Sequence, residues 1–105
     1  VYLKTKTKSS YSVILTNLNK IKKELSVEDF SILEQLLNEY PTAVDFPSIL
    51  NFFELNLSYE SRVKKLRLSL TRIDKTLMTY TKSKTPVLKF RQKNNDRRIK
   101  EIYLN

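Results

Sequence analysis

The chain of 105 residues contains no cysteine, no histidine, no glycine and no tryptophan. Without Cys and His there is no disulfide, no thiol nucleophile, no His-dependent triad and no common zinc-ligand set. The lack of cysteine also suits a reducing compartment. Without Gly there is no P-loop, no GxGxxG fingerprint and no glycine-lined phosphate cradle, so nucleotide-dependent chemistry is not expected. A turn that needs positive φ is then expected to use Asn or Asp, which Asn94-Asn95-Asp96 supplies. No apolar run approaches the ~18 residues of a membrane span. The opening Val1-Tyr2-Leu3-Lys4 lacks the apolar stretch of a signal peptide, and position 1 is not methionine, as expected of an expressed segment, a processed product or a piece of a longer protein.

What is present suits one small packed domain. Hydrophobic residues make up 40% and aromatics 10% of the chain, too much for a disordered polycation. The net charge of +9 is unevenly placed. Residues 1–55 carry six Lys/Arg against seven Asp/Glu, whereas residues 56–105 carry fourteen against four. One half is therefore an ordinary surface at −1, and the other is a polycation at +10. Such segregation favours a polyanionic partner, through counterion release if that partner is nucleic acid. The carboxylates Glu28 and Asp29 stand at a helix start, where the helix dipole explains them, so the chain is not expected to be an enzyme and no cofactor or metal is expected.

The apolar periodicity predicts four helices. Ile14, Leu18, Ile21 and Leu25 form one stripe over about 10–25. Ser26 reads as an N-cap, followed by Phe30, Leu33, Leu36, Leu37 and Tyr40 over about 27–40, with Pro41 as the stop. Pro47 opens a short, apolar third helix over 46–55, carrying Ile49, Leu50, Phe52, Phe53 and Leu55. After the turn Asn56-Leu57-Ser58, a fourth helix over 58–73 buries Val63, Leu66, Leu70 and Ile73. Its other side carries Arg62, Lys64, Lys65, Arg67, Ser69 and Arg72. Residues 75–86 are ambiguous, since Leu77, Met78 and Tyr80 suit a continued helix, a new helix or a strand. Val87–Arg91 then alternates at period two, with Leu88 and Phe90 on one face, and so does Ile99–Leu104, around a polar loop at 92–97. A third and fourth helix joined by a turn, followed by a hairpin over 87–104, predict an α+β fold. It is a mostly α winged helix-turn-helix domain over 1–105, with a C-terminal β-hairpin wing.

The expected DNA-binding face is Ser58, Tyr59, Ser61, Arg62, Lys65 and Ser69 on the fourth helix, joined by Arg91, Lys93, Arg97 and Arg98 on the wing. Polar residues near a helix start can approach phosphates and base edges, while Arg and Lys supply charge. Replacing Arg62, Lys65 or Arg98 by alanine is expected to weaken binding.

The stretch Asp96-Arg97-Arg98-Ile99-Lys100-Glu101-Ile102-Tyr103-Leu104-Asn105 resembles the wing signature of MarR/SarA-type transcription regulators. Leu25–Leu33 is similar to that family's helix opening, and Leu57–Leu70 to its recognition helix. The resemblance covers about residues 25–105. It implies a homodimeric, sequence-specific double-stranded DNA-binding transcription regulator, cytoplasmic and nucleoid-associated. The recognition helix 58–73 would lie in the major groove and the wing 87–104 on the adjacent minor groove or backbone. It also implies that Asp96 pairs with Arg98 and orients it toward the minor groove. The alternative is a winged-helix protein-interaction module, or a replication or chromatin module, excised from a larger and then nuclear protein.

Overall fold

A computed structural model of the chain describes residues 10–51, 53, 56–93 and 96–104. Within them run α1 (Ser10–Thr16), α2 (Leu18–Glu24), α3 (Val27–Glu39), β1 (Val44–Asp45), α4 (Phe46–Leu50), α5 (Tyr59–Thr81), β2 (Leu88–Lys93) and β3 (Asp96–Leu104). Helices followed by a C-terminal antiparallel hairpin give an α+β fold with winged-helix topology. Helices α4 and α5 form the helix-turn-helix, and β2–β3 the hairpin.

The first predicted helix is two. Ile14 and Ile21 are fully buried and Leu18 and Leu25 pack beside them, so the apolar stripe is as the sequence implies. Asn17 divides it, its backbone (φ −105°, ψ 16°) leaving the helical range while its side-chain amide donates to the Val13 carbonyl at 2.9 Å. Ser26 caps α3 by accepting from the Asp29 amide at 3.1 Å. Phe30, Leu33, Leu36 and Leu37 are buried as expected. Ile32 is buried too, because α3 packs against α5 as well as against β1 and β3. Beyond α3, Tyr40 stacks on Tyr11 with ring centroids 4.2 Å apart, ahead of a cis Tyr40–Pro41 peptide.

The sheet has three strands in the order β1-β3-β2, all antiparallel. Strand β1 was not expected: it is two residues long, and Val44 and Asp45 face Ile102 and Glu101 of β3. Asp45 also caps α4, accepting from the Ser48 amide at 3.0 Å and from its hydroxyl at 2.6 Å. Helix α4 ends at Leu50 rather than 55; Phe53 is buried, while Phe52 and Leu55 lie outside the described residues.

Helix α5 starts where predicted, with Ser58 as its N-cap, but runs to Thr81 instead of 73. The row Leu66, Leu70 and Ile73 continues by one more step to Leu77, all buried, and that row keeps the segment helical. It ends on Lys82, whose left-handed backbone (φ 57°) lets its amide donate to the Met78 carbonyl. In a chain without glycine, a Cβ-bearing residue takes this position, at a steric cost on the order of 1 kcal/mol. Lys82→Gly is accordingly expected to raise the unfolding free energy by about 0.5–1 kcal/mol, read from urea titration; an unchanged or lower midpoint refutes this. The positive φ thus falls on Lys82, while Asn94 and Asn95 lie outside the described residues.

The hairpin expected over 87–104 is present, with Leu88 opposite Leu104 and Phe90 opposite Ile102. The expected loop at 92–97 is mostly strand: Gln92 faces Lys100 and Lys93 faces Asp96, with a register shift between Gln92 and Lys93. Leu88, Ile102 and Leu104 enter the core. Phe90 does not share that burial, remaining 52% exposed with its ring edge-on to Phe46 at 6.4 Å. As the outer strand, β2 carries Phe90 past the ground that the helices cover. The carboxylate of Asp74 fixes the hairpin to α5, its Oδ1 accepting from the amides of Val87 at 2.8 Å and Leu88 at 3.1 Å.

Candidate nucleic-acid interface

At about 100° per residue, α5 divides into an inward row, an outward face and two flanks. The inward row is Leu66, Leu70, Ile73 and Leu77. Arg67 stands about 100° to one side, and the hairpin lies on that side. Between them run two adjoining grooves of about 320 and 230 Å³ that share Phe46, Arg67 and Lys100. Their apolar floor is Phe46, Val63, Leu70 and Phe90, and their cations are Arg67, Arg98 and Lys100. Asp74 reaches the larger groove, with one of its oxygens committed to the start of β2. A channel with three cations from two elements and one such carboxylate draws a chain of negative charge.

The other flank faces α3 and is organised around one carboxylate. Asp29 is 2% exposed. Its Oδ1 accepts from the Ser69 hydroxyl at 2.6 Å and from Arg72 Nη2 at 3.0 Å, and its Oδ2 from Arg72 Nε at 2.8 Å. Burial pushes the carboxyl up, but the hydrogen bonds from Arg72 and Ser69 outweigh it and hold the group below the usual aspartate value. The same contact raises Arg72 above the ordinary arginine value. Asp29 is therefore more than a helix-start charge: it joins α3 to α5.

The residues expected on the binding face fall in different places. Ser69 is fully buried on Asp29 and cannot touch DNA; its small hydroxyl fills the seam between α3 and α5. Ser58 and Ser61 bond to each other at the α5 N-cap, 3.0 Å between hydroxyls. Arg62 is half-buried, and its Nε is shut from solvent without a hydrogen-bond partner. Lys65 is exposed but stands about 160° around the helix from Arg67, on the α3 flank. Tyr59 is exposed and lines the smaller hairpin groove together with Arg98.

On the wing, two of the expected cations hold the hairpin together. Arg91 donates to Glu101 at 3.1 Å and lies over the Tyr103 ring at 5.0 Å. Lys93 donates to Asp45 at 3.2 Å, bracing the hairpin against β1 and α4. Asp45 is held below the usual aspartate value, first by the Ser48 hydroxyl, with Lys93 adding to it. Asp96 and Arg97 belong to β3, but their side chains, and so the implied Asp96–Arg98 pairing, lie outside what the structure describes.

Arg67 and Lys100 enter the site although the sequence does not single them out. Arg67 is visible as a basic residue next to the buried row, and Lys100 as a charge in the alternation of β3. Neither carries a sign of which flank the hairpin will occupy, because that follows from the Asp74 tether and the β1–β3 pairing. Among the described residues no helix is long and apolar enough to cross a membrane. Comparison with protein-family models, with curated proteins and with solved structures finds no match to this chain.

Proposed function

We propose that the chain is a sequence-specific double-stranded DNA-binding regulator, with α5 entering the major groove and the hairpin riding on the adjacent backbone or minor groove. The observation that carries this reading is the shared channel in which Arg67 of α5 meets Arg98 and Lys100 of β3. A helix and a hairpin with cations converging on one strip can bracket a phosphate chain while the helix reaches the bases. The concentration of positive charge in residues 56–105 supports it, and the resemblance to MarR/SarA-type regulators adds a homodimer on a pseudo-palindromic site. The regulator reading, the dimer and a nucleoid location stand or fall with DNA binding.

A second reading is a docking module for an acidic protein segment, and the half-exposed Phe90 beside Phe46 favours it. Titrating a fluorescent duplex at rising salt separates the two. With roughly six phosphate contacts, log K should fall against log salt with a slope near −5, losing about 10³-fold between 50 and 200 mM. A flat, weak response would refute the DNA reading and leave the docking module.

A further inference from the structure

The inward row of α5, residues 66, 70, 73 and 77, has a counterpart two positions earlier. Lys64, Leu68, Thr71 and Lys75 follow the same steps of four, three and four, and all four are exposed. They stand roughly 130–190° from the centre of the buried row, so they form the outward face of the helix. Two features of this row set what it can touch. Leu68 is 57% exposed in the middle of a strongly basic helix, left uncovered by the described residues. Thr71 turns its hydroxyl back to the Arg67 carbonyl at 2.9 Å, so its hydrogen-bonding capacity is partly spent within the helix and its methyl is the group left to make contacts. The centre of the outward face is thus apolar and its ends are cationic, over a span of about 16 Å at 1.5 Å per residue.

We propose that Leu68, with the methyl of Thr71, reads the 5-methyl group of thymine in the major groove, while Lys64 and Lys75 hold the flanking phosphates or guanines. The inference rests on the DNA-binding reading and deepens it by naming what is read. The thymine methyl is the one apolar feature on the major-groove edge of a base pair, and apolar groups of different sizes, from Ala and the Thr methyl to Phe, contact it there. Polar readout from this row falls to its cationic ends, so the chemistry in the middle of the row selects methyl over hydrogen-bond donors and acceptors.

The test uses a duplex selected by the protein from a random-sequence pool, with each thymine replaced in turn by deoxyuridine, which removes only the methyl. At one or two positions this should weaken binding about 3–5-fold, as expected for one buried methyl. In Leu68→Ala the thymine and deoxyuridine duplexes should bind equally at those positions, whereas Lys64→Ala should weaken both alike. Leu68 is exposed, so the Leu68→Ala variant is expected to keep its melting temperature. If deoxyuridine costs nothing anywhere, or costs as much in Leu68→Ala as in the parent, the methyl reading is overturned while DNA binding stands. If Leu68→Ala instead changes only self-association in sedimentation, Leu68 belongs to a protein interface and the inference is wrong. Failure to enrich any sequence from the pool overturns the regulator reading itself, and this inference with it.

Discussion

Replacing Arg67, Arg98 and Lys100 together by alanine is expected to weaken duplex binding on the order of 10²-fold at low salt. The salt slope should flatten by about 2.7, since each lost phosphate contact removes about 0.9. All three residues are exposed, so the melting temperature should change little; they line one channel, so their losses should accumulate on one stretch of backbone. Lys65→Ala is the informative comparison. It removes the same charge from the opposite flank of α5 and is expected to cost less than Arg67→Ala. Equal losses from Lys65→Ala and Arg67→Ala would mean that DNA does not follow the channel beside the hairpin.

The largest effect on stability is expected at Asp29. Asp29→Ala leaves the Ser69 hydroxyl buried without its acceptor and strips Arg72 of two charge-assisted hydrogen bonds. Because Arg72 remains 55% exposed and can be rehydrated, the cost should fall short of that of a fully interior pair, at about 3 kcal/mol. For a domain of this size that lowers the melting temperature by roughly 12–24 °C, measurable by circular dichroism. The carboxyl is held below its ordinary value in the folded state. Its stabilisation is therefore complete above about pH 4 and is lost as pH falls through the lower folded value. Acidification below pH 4 should destabilise the parent more than Asp29→Asn. An Asp29→Ala variant as stable as the parent would show that α3 and α5 are aligned by apolar packing alone.

The helical part of the fold was legible because its signal is redundant. In α5 Leu66, Leu70 and Ile73 are buried at helical spacing, and Ser58 and Ser26 stand where caps are needed, although Val63, expected in that row, is half-buried and the row's continuation to Leu77 was ambiguous in the sequence. The hairpin was legible from the alternation around Leu88 and Ile102. What was not legible depends on partners far along the chain. Two residues at Val44–Asp45 are too few to show a period, and only β3 makes them a strand. Ser69 looks like a surface serine until Asp29, forty positions earlier, is brought beneath it. The alternation assigns Phe90 to the face of Leu88, but it cannot tell how far along an outer strand the core extends. The candidate site suffers most from this limit. Positive charge can be counted in the sequence, whereas the side of α5 that meets the hairpin is set by tertiary geometry.

The two amides held by Asp74 give the loop after α5 an unusual freedom. Because a residue inside the helix, rather than the connecting segment, grips the first strand, the path from Lys82 to Pro86 does not have to aim the hairpin. Evolution can lengthen or recompose that path at slight entropic expense, on the order of 0.6 kcal/mol for a doubling, and the spacing between helix and wing survives. The placement of the hairpin beside α5 is then inherited from contacts made by residues outside the connection, namely the Asp74 carboxylate and the β1–β3 pairing, rather than from the length of the loop.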